Sequence, residues 1–465
     1  MKDSLKPKFG LFTALAMVVG TVVGIGIYFK ATPVLVNTGG SESYALIAWS
    51  GGALLAIIAG IVVSELASMT KDTGGLQSFG EQTWGKTFGF MIGWSQSVLY
   101  TPLILSIIAF YSATFTLMFL GWPITLTNLM LFTYGYYIAV NAINFVSASL
   151  AGHLQKLMTL LKLIPLLGIA ITGFFFSGDS SGSLNFSGAS MQHLPAFIAI
   201  STAMIPVLFA FEGWIFAATV AKEIKNPQRN LPIAIIGGIV VIALVYVLFT
   251  IGLLHVAPGA EYAYNSGEVN VFSAANVLFG PQAGKVIQGF IVISALGVLN
   301  AFSLYSIRMP YSLALRASFP GSKALTKVSK RSNIPTYSAL FMNIWTLLLI
   351  SIGFALYAAG QTQVFDVFGD VPIALFYIFY LLIIAGIWRL RHTRPEAKRN
   401  FRAPLLPILA TLAILGSAYA VYGAFFAHPY YMLGSVVIAL VGVAIYKRYQ
   451  PSPETTHNSG LIRES

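Results

Sequence analysis

Two ionisable residues stand where charge is costly. Lys162 lies inside Leu160-Leu161-Lys162-Leu163-Ile164, and Glu212 lies inside Phe209-Ala210-Phe211-Glu212-Gly213-Trp214. A charge at the centre of a membrane helix costs at least about 2.5–3.5 kcal/mol and usually marks an ion or substrate path. Lys brings three donors and a positive charge, whereas Glu accepts hydrogen bonds or carries a proton. A plainer reading is a Lys162–Glu212 pair, or a Lys tied to backbone carbonyls, that only holds helices together. Glycine adds a third signal. Gly20, Gly24 and Gly26 share one apolar run, where each costs about 1 kcal/mol as helix. Small residues four apart permit close helix packing. Alternatively the helix is broken at Gly24–Gly26, which frees backbone N–H and C=O groups. Glu212-Gly213 forms a second irregular centre five spans later. Irregular backbone at membrane depth must line a cavity or be buried in protein, and interrupted segments in corresponding positions of two halves point to a transporter site. The pattern favours broken helices over simple packing.

The elements that must position these residues are membrane spans. Of 465 residues, 57% are hydrophobic and 9% charged, against about 25% charged in soluble domains. A soluble enzyme of this size could not cover its surface, so that class is excluded. The chain has no cysteine, which removes disulfides, zinc-thiolate sites, Fe–S clusters and thiol catalysis. No paired acids, HExxH or Ser/His set falls within the spans, and the six histidines are scattered. No metal or cofactor is expected, and an intramembrane enzyme or channel is disfavoured. The net charge of +12 belongs to cytoplasmic loops rather than to a nucleic-acid partner. The start, with Lys2, Lys6 and Lys8, mimics a signal peptide, but the apolar run behind it continues to about Val36. That is too long for a signal h-region, so it reads as a retained first span.

About 20 apolar residues are needed per span. Twelve runs qualify, at approximately 11–36, 44–69, 88–119, 124–147, 154–177, 194–221, 231–256, 283–307, 335–359, 364–388, 403–425 and 429–446. Residues 87–152 carry no Lys, Arg, Asp or Glu, and only Gly121-Trp122-Pro123 marks a turn there; a similar turn is expected at Ala427-His428-Pro429. Twenty-three of the 27 basic residues fall at the two ends and in the loops after spans two, six, eight and ten, while Glu42, Asp179, Glu261 and Glu268 lie in the opposite loops. By the positive-inside rule both termini are cytoplasmic. Lys30 and Lys285, near the outer ends of spans one and eight, and Lys156, near the inner end of span five, are expected to snorkel to the interface. Glu65, near the inner end of span two, reads as interfacial, and Asp366 and Asp370 read as rim charges at the outer start of span ten.

At these residues the chain resembles the amino acid–polyamine–organocation superfamily, and within it the L-type amino-acid transporter family. Gly20, Thr21, Gly24, Gly26, Ile27 and Tyr28 match G-(S/T)-x-x-G-x-G-I-(F/Y). Glu65, Leu66, Met69, Gly74 and Gly75 match E-L-x-x-M-x-x-x-x-G-G. Phe209 to Trp214, Glu223, Asn226, Pro227, Arg229, Asn230, Leu231 and Pro232 match span six and its exit, the most specific part. Asn300, Arg308 and Pro320 fall in the family's order, and Arg394-Pro395-Glu396 to Arg399, Phe401 and Pro404 resemble its entry to span eleven. Glu212 departs from animal members, which usually carry a small residue there.

The resemblance implies an all-α membrane protein of twelve helices with a LeuT-type fold, made of two inverted five-helix repeats (about 11–177 and 194–388), two further helices (about 403–447) and a cytoplasmic tail (448–465). It implies a multi-pass amino-acid transporter of the cell membrane. The family's span-five lysine falls on Lys162, which takes the place of a sodium ion beside the break in sodium-independent members. Free N–H groups around Val23, Gly24, Ile25, Gly26 and Ile27 suit a substrate carboxylate at a positive half-helix end. Free C=O groups there and at Phe209, Ala210 and Phe211 suit its ammonium. The substrate side chain then meets Glu212 and Gly213, with Phe209 or Trp214 as an aromatic lid and Ser303 as a second partner of Lys162. The expected activity is sodium-independent exchange of neutral amino acids. The alternative is proton-coupled symport through Glu212 or Lys162. A cysteine-linked partner subunit would need a cysteine, and the sequence does not otherwise speak to a protein partner. The charge bias predicts that a cysteine introduced as Ser322→Cys escapes an impermeant thiol reagent applied outside intact cells; labelling from outside would reverse the topology.

Overall fold

The computed structural model describes residues 10–69, 75–146, 158, 161–175, 195–215, 224–256, 270–316, 319, 321–329 and 334–449. Among these residues all regular structure is helical. The motif residues Gly74, Glu223 and Pro320 lie outside them, as do Lys2, Lys6, Lys8, Lys71, Lys156, Asp179, Lys222, Glu261, Glu268, Lys330, Arg331 and most of the carboxyl tail.

The first apolar run forms two helices, α1 (Leu11–Val22) and α2 (Gly26–Asn37). They are followed by α3 (Glu42–Met69), the short α4 (Gly75–Trp84), α5 (Lys86–Ser95), a π turn at Gln96–Tyr100, α6 (Thr101–Leu120) and α7 (Leu126–Val146). Then come α8 (Leu163–Phe174), α9 (Ala196–Phe211), α10 (Pro227–Val256) and α11 (Asn270–Ser306), the last kinked at Gly280. The chain ends in α12 (Met309–Ala314), α13 (Ser322–Leu325), α14 (Thr336–Ala358), α15 (Val364–Thr393), α16 (Leu406–Ala427) and α17 (Pro429–Arg448).

In lipid every backbone polar group must be satisfied within its own segment, and helix is the local answer. Eight helical stretches among the described residues are long and apolar enough to cross a membrane: Glu42–Met69, Lys86–Leu120, Pro227–Leu254, Val271–Ala314, Thr336–Ala358, Val364–Thr393, Leu406–Ala427 and Pro429–Arg448. Leu11–Gly20, Leu163–Phe174 and Ala196–Phe211 are apolar but shorter. The uncharged stretch 87–152 does turn where Gly121 was expected to turn it: α6 ends on Gly121 in the left-handed region, at φ 69°. Likewise His428 alone separates α16 from α17. The span-six exit motif has a local cause, because Asn226 takes φ 47° just before Pro227 opens α10. Asn tolerates that conformation better than most residues, and Pro suits the first helical position.

The outer helices carry their large apolar side chains outward. Leu340, Ile344 and Leu348 of α14, Ile408, Leu412 and Leu415 of α16, and Leu433, Val437 and Leu440 of α17 are all exposed. Such stripes, spaced three or four residues apart, are one helix face each and are at home against acyl chains. By contrast α15 is buried along most of its length.

Both ends of α15 hold buried ion clusters, and these correct three expectations. Lys30 does not snorkel: it is 0% exposed, with Nζ 2.7 Å from Asp370 Oδ1 and 3.3 Å from Asp366 Oδ1. Asp366 and Asp370 are four apart and so share one helix face, which lets both reach the same ammonium from α15 instead of pointing from a rim. Glu65 is not interfacial either. Its side chain is 1% exposed and accepts from Arg391 Nε at 3.0 Å and from the Ala403 N–H at 2.9 Å, with Arg399 Nε 3.3 Å away. The glutamate motif after span two and the arginine motif before α16 therefore meet in space. Removing one partner of a buried pair costs about 3 kcal/mol or more, so Glu65→Gln is expected to lower the thermal unfolding midpoint in detergent markedly; an unchanged midpoint would remove this cluster from the fold's supports.

Candidate functional site

The first helix breaks at Val23–Ile25, where Val23 turns extended (φ −63°, ψ 107°) and α2 restarts at Gly26. A break of this kind strands the last carbonyls of one helix and the first N–H groups of the next. Two side chains answer two of the carbonyls. Lys162 Nζ donates to Gly20 O, and the Tyr246 hydroxyl of α10 donates to Val22 O at 3.2 Å. Tyr28 of α2 donates in turn to the Lys162 backbone carbonyl at 3.3 Å. Lys162 thus holds both halves of the broken helix, α1 through its ammonium and α2 through its carbonyl. The N–H groups of Gly24, Ile25 and Gly26 have no acceptor one helical turn behind them.

The second break follows Phe211. Glu212 is extended (φ −68°, ψ 151°) and Gly213 takes φ 112°, a conformation that favours glycine. The two breaks approach closely. A Cβ on Gly26 would lie 3.1 Å from Ala210 Cα and 3.3 Å from the Phe209 ring. On the other side a Cβ on Gly24 would meet Val298 of α11 at 3.0 Å.

Between them lies a narrow cavity lined by Val22, Gly24, Ile25, Gly26, Phe209, Ala210 and Glu212, and closed by side chains from three other helices. Those are Ile104 and Ile108 of α6, Val298 and Phe302 of α11, and Ile373 of α15; Tyr100 enters from the π turn. One wall is therefore free backbone and the rest is apolar with a few polar groups, the usual make-up of a small-molecule site.

Glu212 is 8% exposed and accepts a hydrogen bond from Tyr380 at 2.7 Å through Oε1. Its Oε2 makes no hydrogen bond of good geometry, although Tyr100, Tyr305 and Tyr377 stand around the same carboxyl. Lys162, 3% exposed, is bonded to backbone and not to Glu212. The pairing of these two residues is thereby set aside in favour of a Lys tied to carbonyls.

The remaining residues singled out from sequence separate into groups. Val23 and Ile27 are buried beside the break without lining the cavity. Phe211 turns away to pack on Trp49 and Tyr246. Trp214 packs on Tyr380, with ring centroids 5.8 Å apart, so of the two lid candidates it is Phe209 that lines the cavity. Ser303 is buried with its hydroxyl unbonded, and Lys162 reaches Gly20 instead, one turn before the break. Sequence reasoning missed Tyr246, Tyr380 and Tyr100. Their signal is a hydroxyl inside an apolar run, which burial obliges to find a partner.

Comparison with known proteins agrees with this geometry. Residues 9–446 match the family model described as amino acid permease. The serine/threonine exchanger SteT of Bacillus subtilis is 29% identical over 446 residues, covering 96% of this chain and 97% of that relative. The b(0,+)-type amino acid transporter 1 of Mus musculus is 25% identical over 89% of this chain and 82% of its own. The putrescine transporter PotE of Escherichia coli (strain K12) is 23% identical over 99% and 100%. Apolar spans, two facing helix breaks and a match across almost the whole length lead to one statement: the chain belongs to the amino acid permease family of the amino acid–polyamine–organocation superfamily, and is a multi-pass transporter of the cell membrane and not an enzyme.

Proposed function

We propose that the protein exchanges neutral L-amino acids across the cell membrane without sodium, by alternating access around the two broken helices. The full arrangement in this reading is twelve spans of LeuT type, with inverted repeats at about 11–177 and 194–388, two additional helices at 403–447 and both termini cytoplasmic. The observation that carries the proposal is the meeting of the two breaks on one cavity with Lys162 bonded to Gly20 O. An α-amino acid presents a carboxylate and an ammonium at fixed separation. The N–H groups of Gly24, Ile25 and Gly26, at the positive end of α2, receive the carboxylate. The last carbonyls of α9, around Phe209 and Ala210, receive the ammonium. The side chain then lies among Ile104, Ile108, Val298 and Ile373, with Phe209 above it and Glu212 at one edge.

In this mechanism Lys162 supplies what a bound cation would supply elsewhere: positive charge and donors for carbonyls that the break has orphaned. A resident charge needs no ion to arrive with each cycle, so the exchange runs without a sodium gradient. The second reading, proton-coupled symport, is favoured by one observation, a carboxyl buried at the cavity with no cation paired to it among the described residues. A carboxyl so placed can take up a proton when the site empties.

Counterflow in proteoliposomes separates the two. With a panel of neutral amino acids inside and out, exchange is expected in sodium-free buffer and without a pH gradient; a strict need for that gradient moves the assignment to symport through Glu212. Lys162→Ala is expected to reduce exchange at least a hundredfold while the protein still inserts. Near-normal exchange by that variant would leave Lys162 a structural charge. Gly26→Ala places a methyl group against Ala210 Cα and is expected to weaken substrate binding at least tenfold, read by scintillation proximity or stabilisation on ligand addition. Unchanged affinity would put the substrate elsewhere.

A further inference from the structure

Span three carries a third irregularity besides the two helix breaks. Its halves, α5 and α6, are joined through the π turn at Gln96–Tyr100, where the Thr101 N–H donates to Gln96 O, five residues back. Single π turns inside α-helices are frequent at functional sites. We propose that Trp345 of α14 is a positioning residue for the cavity. Its indole N–H holds a carbonyl of this turn, and so fixes the angle at which Tyr100, Ile104 and Ile108 meet the site. The proposal rests on the cavity assigned above as the place where substrate binds.

The cause lies in the sequence. In a regular helix the N–H of residue 102 would donate to the Val98 carbonyl, but residue 102 is proline and has none. A carbonyl left so inside a membrane needs another donor. Trp345 Nε1 supplies it at 2.7 Å, from 247 residues away. Trp84 and Trp94 also donate to carbonyls of neighbouring helices, Leu382 O at 2.7 Å and Ile438 O at 2.9 Å. Four residues beyond those carbonyls stand Gly386 and Gly442, which have N–H groups of their own. Those two indoles are second partners, whereas Trp345 replaces a missing one. The same answer recurs in α9, where Pro206 leaves Thr202 O without its helical donor and the Asn37 amide supplies one at 3.0 Å.

The placement matters because of what the turn joins. One extra residue in a turn rotates α6 by roughly 100° from where a continuous helix would point it. Before the turn, α5 packs its glycines on α4: a Cβ on Gly89 would meet Glu81, and one on Gly93 would meet Gln77. After it, Tyr100, Ile104 and Ile108 are four apart, share one face and line the cavity. Both faces find their partners only with the extra residue in place. Tyr100 also lies beside the Glu212 carboxyl and packs on Phe376 with centroids 4.3 Å apart, so its placement carries to the polar edge of the cavity. Gln96 pins the turn from a second side, donating to the Tyr305 hydroxyl of α11 at 3.0 Å. Trp345 itself does not line the cavity; it acts through the Val98 carbonyl.

Trp345→Phe keeps an aromatic ring and removes the N–H. The chain has no cysteine, so single thiols at Ile104→Cys, on the cavity face, and Leu105→Cys, off it, report where that face points. With a small methanethiosulfonate the first is expected to react at least about tenfold faster than the second in the parent protein; equal rates would overturn the assignment of the face. In Trp345→Phe the two rates should come within about threefold of each other and the thermal midpoint in detergent should fall. Counterflow with the neutral amino-acid panel should fall at least about tenfold, as misplaced contacts at a site commonly cost. Adding Pro102→Ala gives Val98 O a donor from its own helix and lets the π turn close to α. The midpoint should then return, while the labelling contrast and the counterflow should not. Recovery of all three together would make the Trp345 bond structural only and overturn the positioning role, as would an unchanged contrast in Trp345→Phe. Pro102→Ala alone, with Trp345 in place, should keep the parent contrast. A loss as large as in the double variant would give control of the turn to the proline and overturn the role of Trp345. Labelling needs no transported substrate, so failure of every amino acid in counterflow would sink the substrate reading and leave this result standing.

Discussion

A peptide group freed inside a membrane has to find a partner, and the centre of this protein is organised around that requirement. Two helices stop in mid-span, at Val23–Ile25 and at Glu212-Gly213. Each stop exposes donors and acceptors that lipid cannot satisfy. The carbonyl side of the first break is answered from two different helices, by Lys162 and by Tyr246. On the donor side the Gly24 N–H meets the Tyr246 hydroxyl, and Ile25 and Gly26 line the cavity. The burial of Lys162 has the same origin, since an ammonium that far into the apolar layer is offset only by the acceptors the break supplies. The break and the lysine thus supply each other's partners.

Charge elsewhere follows a related rule. At one end of α15 two aspartates hold the Lys30 ammonium; at the other, two arginines surround Glu65. Both clusters connect α15 to helices of the first half, α2 and α3. A helix buried along its length is thereby tied at both ends to its neighbours. Packing supplies the bulk of the stability, and the ion pairs select which contacts are made.

Much of this was legible in the sequence, and what was not has physical reasons. Each of the twelve apolar runs contains helix, and the turns at Gly121 and His428 fall where glycine and proline announced them. The breaks were legible because three glycines in seven positions are costly in a helix interior and a second irregular centre follows five spans later, although close helix packing by small residues competed as an account. The fate of Lys30, Glu65, Asp366 and Asp370 was not. A charge near the end of a span reads as interfacial whenever its partner is hundreds of residues away, and Lys30 and Asp370 are 340 residues apart. Motif spacing is one-dimensional and does not say that the glutamate at the inner end of span two and the arginines before α16 touch. The tyrosines were missed for a related reason, because Tyr246 and Tyr380 look like ordinary apolar residues until a carbonyl or a carboxylate is placed beside them.

The division of labour at the cavity follows from what backbone can and cannot read. In the proposed mechanism backbone groups recognise the ends common to every α-amino acid, and they do so by conformation, so the identity of the side chains at Val23, Gly24 and Ile25 matters only in permitting the turn. Discrimination between one substrate side chain and another falls, in the same proposal, to the groups opposite: Ile104, Ile108, Val298 and Ile373 set its volume and polarity, and Glu212 sets what it must donate. An apolar pocket separates side chains that differ by one methylene only about 10- to 200-fold, while a buried group needing a hydrogen bond rejects a substrate that cannot make it far more strongly. Glu212 accepts from Tyr380 at the cavity edge, with Tyr100 and the Gly213 backbone beside the same carboxyl. In the proposed mechanism the sharpest selectivity therefore belongs at Glu212, the one cavity residue in which the sequence departs from the pattern it resembles.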